Sequence, residues 1–330
     1  MAGNETSKII HHLELNFRRR LRTMRLLQRK DGDRYSLTEF VGDATPRYAI
    51  LSHTWGPDQE EATFADLEQD ACTTKAGYRK LQFCADQAAK DGLRYFWVDT
   101  CCIDKSSRAE LSEAINSMFA WYRDAAQCYV YLPDVSTSSL VSSTPAQQHW
   151  NRAFQQSRWF TRGWTLQELV APVSLEFFSA EGQRLGNRYS LVQELHSVTG
   201  ISVEALQGSR PLDQLSVDER MSWAGQRKTK REEDAAYSLL GIFDVHMPLI
   251  YGEGRRKAFA RLQREIDTAS SDARSTLTRN DMSQSYGHAT HAYHGPVFHG
   301  PISGRYVVPG THVTGGTVNF DFREGRNVSR

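Results

Sequence analysis

The sequence predicts an α/β fold: a parallel sheet flanked by helices, with an added helical region and a flexible C-terminal tail. Short apolar runs alternate with longer amphipathic segments between about residues 48 and 179. The spacing between successive runs leaves room for a crossover helix, which parallel strands require. From about residue 268 the chain turns polar and rich in Gly, Ser and His, so the sheet and its helices must lie before that point.

The elements follow in order. Residues 7–23 place Ile9, Ile10, Leu13, Phe17 and Leu21 at roughly helical spacing around Arg18, Arg19 and Arg20, and read as a packed or frayed N-terminal extension or, less commonly, as a segment that touches acidic lipid or a partner helix. Met24 begins a fresh segment, MRLLQRKDG. Tyr48 to Ser52 reads as a buried strand, and Gly77 to Lys90 as a helix ending at Gly92. Leu93 to Val98 is a second strand with Asp99 at its end. Ser107 and Glu110 form a capping box opening a helix with Leu111, Ile115, Met118, Phe119 and Tyr122 on one side. Cys128 to Leu132 is a third strand, Ser136 to Gln148 a surface loop, and Val173 to Ser179 a fourth strand.

Residues 190–267 read as mostly helical, with 234–266 as their densest apolar part. This gives an extension at 1–23, a main domain at 24–267 with a sheet-bearing core at about 45–180, and a tail at 268–330. Within the tail, GPVFHGPISGRYVVPGTHVTGGTVNFDF at 295–322 alternates β-formers with glycines, and is either a loose tail or a strand-forming segment that needs a partner.

Composition narrows the function. The 330 residues suffice for a sizeable core, and 40 basic against 39 acidic residues leave a formal charge of +1. No global field favours nucleic acid or an anionic membrane, so the partner is expected to be a small molecule or a protein. Five cysteines form no C-x-x-C pair, and Cys101 and Cys102 would point to opposite faces of a strand. Reduced, buried thiols are expected, with no zinc site or other metal. No secretory signal opens the chain and no apolar run reaches membrane-spanning length, so the expectation is a cytoplasmic protein.

The run SRWFTRGWTLQELVAP at 157–172 sets Glu168 one helical turn after Trp164, on a shared face. A carboxylate beside an indole can wall a pocket that desolvates an acid and stacks a flat ring; a helix start also gathers both for packing and dipole reasons alone. Ligands of parallel sheets sit beyond the carboxyl ends of the strands. Ser52, His53, Trp55 and Asp99 fall there, and Glu168 follows the third strand. His53 is a general base or, more commonly at a strand end, a hydrogen-bonded structural group. Asp99 binds ribose hydroxyls or caps a turn. The chain has no G-x-G-x-x-G after a strand, no P-loop and no G-x-S-x-G elbow, which disfavours hydride transfer, P-loop hydrolysis and serine hydrolysis. Gly252-Glu253-Gly254 reads as the end of one helix and the start of another, and the basic run Arg227–Arg231 as a solvated loop, not a nucleic-acid patch.

These phrases also support a family resemblance. YAILSHTWG at 48–56, DGLRYFWVDTCCIDK at 91–105, AELSEAINSMFAWYRDAAQCYVYLPDV at 109–135, SRWFTRGWTLQELVAP at 157–172 and DAAYSLLGIFDVHMPLIYGEGRRKAF at 234–259 resemble, in order, the fungal HET (heterokaryon incompatibility) domain. The resemblance implies a role in non-self recognition and programmed cell death, and a distant relation to TIR domains with their flavodoxin-like sheet. ILSHTWGPD resembles the first-strand phrase of plant TIR domains, and WTLQEL resembles their W-C-L-x-E-L, whose glutamate hydrolyses NAD. The matching residue is Glu168. By the same resemblance Ser52, Trp55 and Trp164 would line a nucleotide pocket, with NAD as substrate and no resident cofactor. The Arg of the TIR phrase is replaced near Trp55, and Thr165 stands where that phrase has cysteine.

The tail is similar in style to the amyloid signalling motifs of fungal death effectors, which implies templating by an NLR-type receptor and self-association on activation. Two functions remain open at this point: a clustering-activated NAD hydrolase, or a non-enzymatic TIR-like signalling adaptor.

Overall fold

The computed structural model describes residues 23–30, 34–69, 72–138 and 146–282, and the strands Thr311–Thr314 and Thr317–Phe320. The first six strands are β1 (Thr23–Arg29), β2 (Tyr35–Val41), β3 (Tyr48–His53), β4 (Tyr95–Trp97), β5 (Gln127–Tyr131) and β6 (Leu175–Phe178); β7 (Arg184–Asn187) follows. They form one seven-stranded sheet in the order β2-β1-β4-β3-β5-β6-β7. Four strands, β4, β3, β5 and β6, run parallel, with Ile50 opposite Trp97, Ser52 opposite Val130 and Val130 opposite Phe177. Among these four, the chain order across the sheet is second, first, third, fourth.

The expected parallel sheet is in fact mixed. β1 pairs antiparallel with β2 and β4, and β7 antiparallel with β6. The reason is connection length: the few residues between Arg29 and Tyr35, and between Phe178 and Arg184, suffice for a hairpin but not for a crossover. The segment at Met24 is therefore a strand of the sheet, with Met24, Leu26 and Leu27 in the core.

β3 is buried at every residue, as the apolar run Tyr48–Leu51 demands of a central strand, and the burial extends to the polar Ser52 and His53 at its end. Its alternating side chains serve two layers. On one face Tyr48 donates to the Trp121 carbonyl at 2.6 Å, tying the strand to the helix Arg108–Asp124. Trp97, fully buried, packs against Trp121 and Tyr122 of that helix at ring distances of 5.5 and 5.9 Å. On the other, the helix Tyr78–Lys90 buries Leu81, Cys84, Ala85 and Ala88, and its Phe83 ring meets Tyr131 and Phe178 at 4.9 and 5.1 Å. Burying a side chain of this size contributes roughly 2–3 kcal/mol, so these rings set the layer order.

The capping box expected at Ser107 forms only by half. Ser107 accepts from the Glu110 N–H, but the Glu110 carboxylate takes the Asp104 N–H at 2.7 Å and the Arg25 guanidinium. Cys101 and Cys102 lie in the turn after β4 and not on a strand; both are buried thiols outside any disulfide, as are Cys84 and Cys128. Part of the loop expected at 136–148 is helical instead. The helix Ala146–Gln155 begins within it, and its Trp150 and Phe154, one turn apart, pack at 5.9 Å.

The helical region holds short helices at Val192–Thr199, Val203–Gln207, Val217–Ser222 and Asp234–Tyr237 before the long helix Arg255–Met282. That helix runs past the expected boundary at 267. Its continuation has no Gly or Pro, and Thr268, Ser270 and Ser271 satisfy their hydroxyls on carbonyls four residues back. In a separate unit, Ser275–Arg330, the strands Thr311–Thr314 and Thr317–Phe320 pair antiparallel. The remaining tail residues, and the extension up to residue 22, lie outside the described residues. No helix among the described residues is long and apolar enough to cross a membrane.

Candidate functional site

At the carboxyl ends of the parallel strands lies a cavity of about 250 Å³. His53, Trp55, Asp99, Trp164 and Glu168 all line it. Five of the six residues singled out in the sequence, drawn from three separate segments, thus share one hollow. The sixth, Ser52, lies behind the wall and not in it: fully buried, it donates its hydroxyl to Glu168 Oε2 at 2.5 Å and accepts from Trp159 Nε1 at 2.8 Å.

Glu168 sits in the first turn of the helix Thr165–Val170, only 8% exposed. Burial pushes its pKa up to about 8; the Ser52 hydrogen bond opposes this, the neighbouring Asp99 adds to it, and Arg162 and Tyr122 offset part of it. The helix entry is fixed by Thr165, whose hydroxyl lies 2.6 Å from the Trp159 carbonyl and accepts from Arg227 at 2.9 Å. Thr165 is therefore a hydrogen-bonding junction. Trp164, at the N-cap, reaches Asp234 Oδ2 at 3.4 Å, and Tyr251 donates to the other oxygen of Asp234 at 3.0 Å.

Trp55 donates its indole N–H to Asp99 Oδ2 at 3.0 Å, so neither stands free of the other. Among the described residues Asp99 Oδ1 has no hydrogen-bond partner, and burial holds its pKa above the usual carboxylate range. His53 Nε2 likewise has no hydrogen-bond partner among the described residues, and lies 3.9 Å from both Asp99 Oδ1 and Glu61 Oε2. Burial, then Lys80, Lys105 and Arg162, push the His53 pKa well down, so the imidazole is neutral near pH 7. Glu61 spends its other oxygen on Lys80 and the Gly56 N–H.

Sequence reasoning missed the cations. The Lys105 ammonium lies 3.8 Å from the Trp55 ring centroid, and Arg162 6.0 Å from it, so positive charge reaches this indole from two other segments. Lys228, Lys230 and Arg231 are exposed, as a solvated loop requires, and residues 228–231 also line the same cavity. The approach is close because a parallel bridge joins Arg162 to Lys228, and the Gly163 N–H donates to the Lys228 carbonyl at 2.9 Å. Arg227, buried, donates to the Arg162 carbonyl at 2.9 Å as well as to Thr165. The signal was present in the sequence as a basic run, but its contact with a segment some sixty-five residues earlier was not. Gly252 and Gly254 belong to a turn, where both N–H groups bind Glu233, at 2.8 and 2.9 Å.

A larger hollow of about 550 Å³ lies along Glu232, Glu253 and residues 254–257, but it is shallow and contains none of the converging groups. Among the described residues, no group of three or more His, Cys, Asp or Glu is placed to hold a metal ion. The cavity can therefore offer a desolvated carboxylate, two indoles and a cationic rim to a flat, polar, anionic molecule.

Residues 48–144 match the family model described as heterokaryon incompatibility protein (HET). The chain is similar to vegetative incompatibility protein HET-E-1 of Podospora anserina, with 57% identity over 262 residues, which is 78% of this chain and 19% of that protein. It thus spans a small part of that relative's length. No solved structure matches the chain at a significant level. With the family's phrases lying along β3, β4, β5 and the helices between them, the chain belongs to the heterokaryon incompatibility (HET) domain family.

Proposed function

We propose that the chain is a cell-death effector of fungal heterokaryon incompatibility, whose cavity hydrolyses the nicotinamide–ribose bond of NAD-type dinucleotides when several domains are clustered. The similarity to a vegetative incompatibility protein supports the biological role. The order of the four parallel strands, second-first-third-fourth, supports a TIR-like, flavodoxin-like relation. One observation carries the chemistry: Glu168, buried and oriented by Ser52, lines the same cavity as the two indoles.

In this reaction the glycosidic bond breaks with its electron pair leaving on nicotinamide, which departs neutral. The ribose carbon becomes oxocarbenium-like, and the Glu168 carboxylate stabilises that positive charge. Water then adds to the carbon and loses a proton, giving ADP-ribose, nicotinamide and one proton. Trp55 or Trp164 stacks on the planar ring. With a pKa of about 8, Glu168 is mostly protonated near neutrality, and a cationic nicotinamide ring beside it favours the ionised form. The receptor-templated tail and domain clustering enter this reading as its trigger; the tail lies mostly outside the described residues.

The second reading is a TIR-like adaptor without catalysis. The burial of Glu168 and its Ser52 hydrogen bond favour it, since a buried, hydrogen-bonded acid is also what a packing role requires. NAD loss over time with purified wild type and Glu168→Gln, each soluble and seeded through the tail, separates the two. Loss in seeded wild type and none in the variant supports hydrolysis. No loss in any state, with assembly intact, leaves the adaptor.

A further inference from the structure

We propose that Lys105, Arg162 and Lys228 form a phosphate cradle at the cavity mouth, which binds the diphosphate bridge of a dinucleotide while its nicotinamide riboside half enters toward Glu168. This rests on the dinucleotide reading above and adds to it the part of the substrate that gives affinity.

The observation behind it is an imbalance of pairing. Lys230 is engaged by Asp58 at 2.5 Å, and Arg231 stacks 4.1 Å from the Tyr251 centroid. Lys105, Arg162 and Lys228 line the cavity too, yet no hydrogen bond or ion pair to their charged ends occurs among the described residues. Asp99, Glu61 and Asp58 attract Lys105 from a distance without pairing with it, and the three cations repel one another around one hollow, an arrangement that suits a multivalent anion. Asp99, Glu168 and Asp234 line the same cavity, but each is engaged through at least one oxygen by Trp55, Ser52, or Tyr251 with Trp164.

Depth sorts these charges. Glu168 and Asp234 are buried, Arg162 is half-buried, and Lys105 and Lys228 are exposed. A volume of about 250 Å³ lies below the range of about 300–1,000 Å³ usual for a whole ligand. It suits half of a dinucleotide, with the charged bridge left at the mouth where the cations stand. The chain itself fixes their spacing. Arg162 and Lys228 are the two residues of the parallel bridge, and Lys105 is held by the Trp55 ring.

The test is calorimetric titration of ADP-ribose, which carries the diphosphate and is not consumed, against adenosine, which lacks it. Inorganic pyrophosphate serves as competitor, to distinguish a bridge held within a nucleotide from free phosphate. Wild type is expected to bind ADP-ribose far more tightly than adenosine. Lys105→Gln and Lys228→Gln are each expected to weaken ADP-ribose about tenfold without changing adenosine. Lys228→Arg, which keeps the charge, is expected to restore binding. The idea is overturned if ADP-ribose binds no better than adenosine, or if the glutamine variants bind it as wild type does. It is also overturned if pyrophosphate binds as tightly as ADP-ribose, because the cradle would then hold free phosphate. Cation-dependent binding without NAD loss would sink hydrolysis and leave the cradle. NAD loss with cation-independent binding would do the reverse.

Discussion

The Ser52 hydroxyl donates to Glu168 Oε2 at 2.5 Å while accepting from Trp159 Nε1 at 2.8 Å, so the central strand and not the cavity wall orients the buried acid. Ser52→Ala removes a bond that favours ionised Glu168 and leaves a buried indole N–H without its partner. The variant is expected to lose about 1–3 kcal/mol of stability, read by chemical denaturation. Its Glu168 pKa is expected to rise further, moving the ascending limb of the pH–rate profile for NAD loss to higher pH. A destabilised variant with an unmoved profile would mean that Ser52 acts on packing alone.

Glu168 also gives stability a pH dependence of known sign. Its folded pKa, about 8, exceeds the ordinary 4.5, so the folded state keeps a proton that the unfolded chain releases. The resulting stability is lost as pH rises from about 4.5 to about 8 and levels off beyond. Glu168→Gln carries no such penalty. Near pH 8 it is expected to be more stable than wild type by about 2–4 kcal/mol, with the difference vanishing toward pH 4.5. Urea midpoints at the two pH values measure this. A variant less stable than wild type at pH 8 would show that the charge is satisfied in the fold.

Much of the sheet and half of the site were legible because they are local. β3, β4, β5 and the helices between them carry their own apolar periods, and strand ends mark where a ligand sits, so His53, Trp55 and Asp99 could be named from position. β1, β2 and β7 were missed because the pattern was sought in crossover-sized steps, whereas short hairpin connections join them to the sheet. Ser52 was recognised but misplaced, since alternation along a strand says which face a side chain takes and not what lies beneath it. Lys105, Arg162 and Lys228 reach one cavity only through tertiary contacts that no local pattern encodes.

Gly163 shows how tight that tertiary contact is. A methyl group there would clash with Thr229 Cγ2, on the bridge that brings Lys228 to Arg162. Gly163→Ala is expected to cost roughly 1–3 kcal/mol and to weaken ADP-ribose binding by parting the two segments. Thr229→Ser, which lacks Cγ2, is expected to restore most of both losses in the double variant. Additive losses in that double variant would instead place the strain elsewhere.

Arg227 closes the same junction from inside the protein. It is 7% exposed and faces no carboxylate at salt-bridge distance among the described residues; it donates to the Arg162 carbonyl and the Thr165 hydroxyl, each at 2.9 Å, and to the Trp223 carbonyl at 3.2 Å. Burial pulls its pKa down to about 10, with Glu168 opposing, so it stays charged at neutral pH. One guanidinium thus ties the helical region, the bridge and the entry of the helix that bears Glu168. Lysine has the charge but not the planar fork, and cannot reach three acceptors in different directions. Arg227→Lys is expected to lose about 2–3 kcal/mol by urea denaturation and to lower NAD loss at saturating substrate as well as at low substrate, because the position of Glu168 changes together with the rim. A change confined to ADP-ribose affinity, with turnover at saturation preserved, would limit Arg227 to holding the cationic segment.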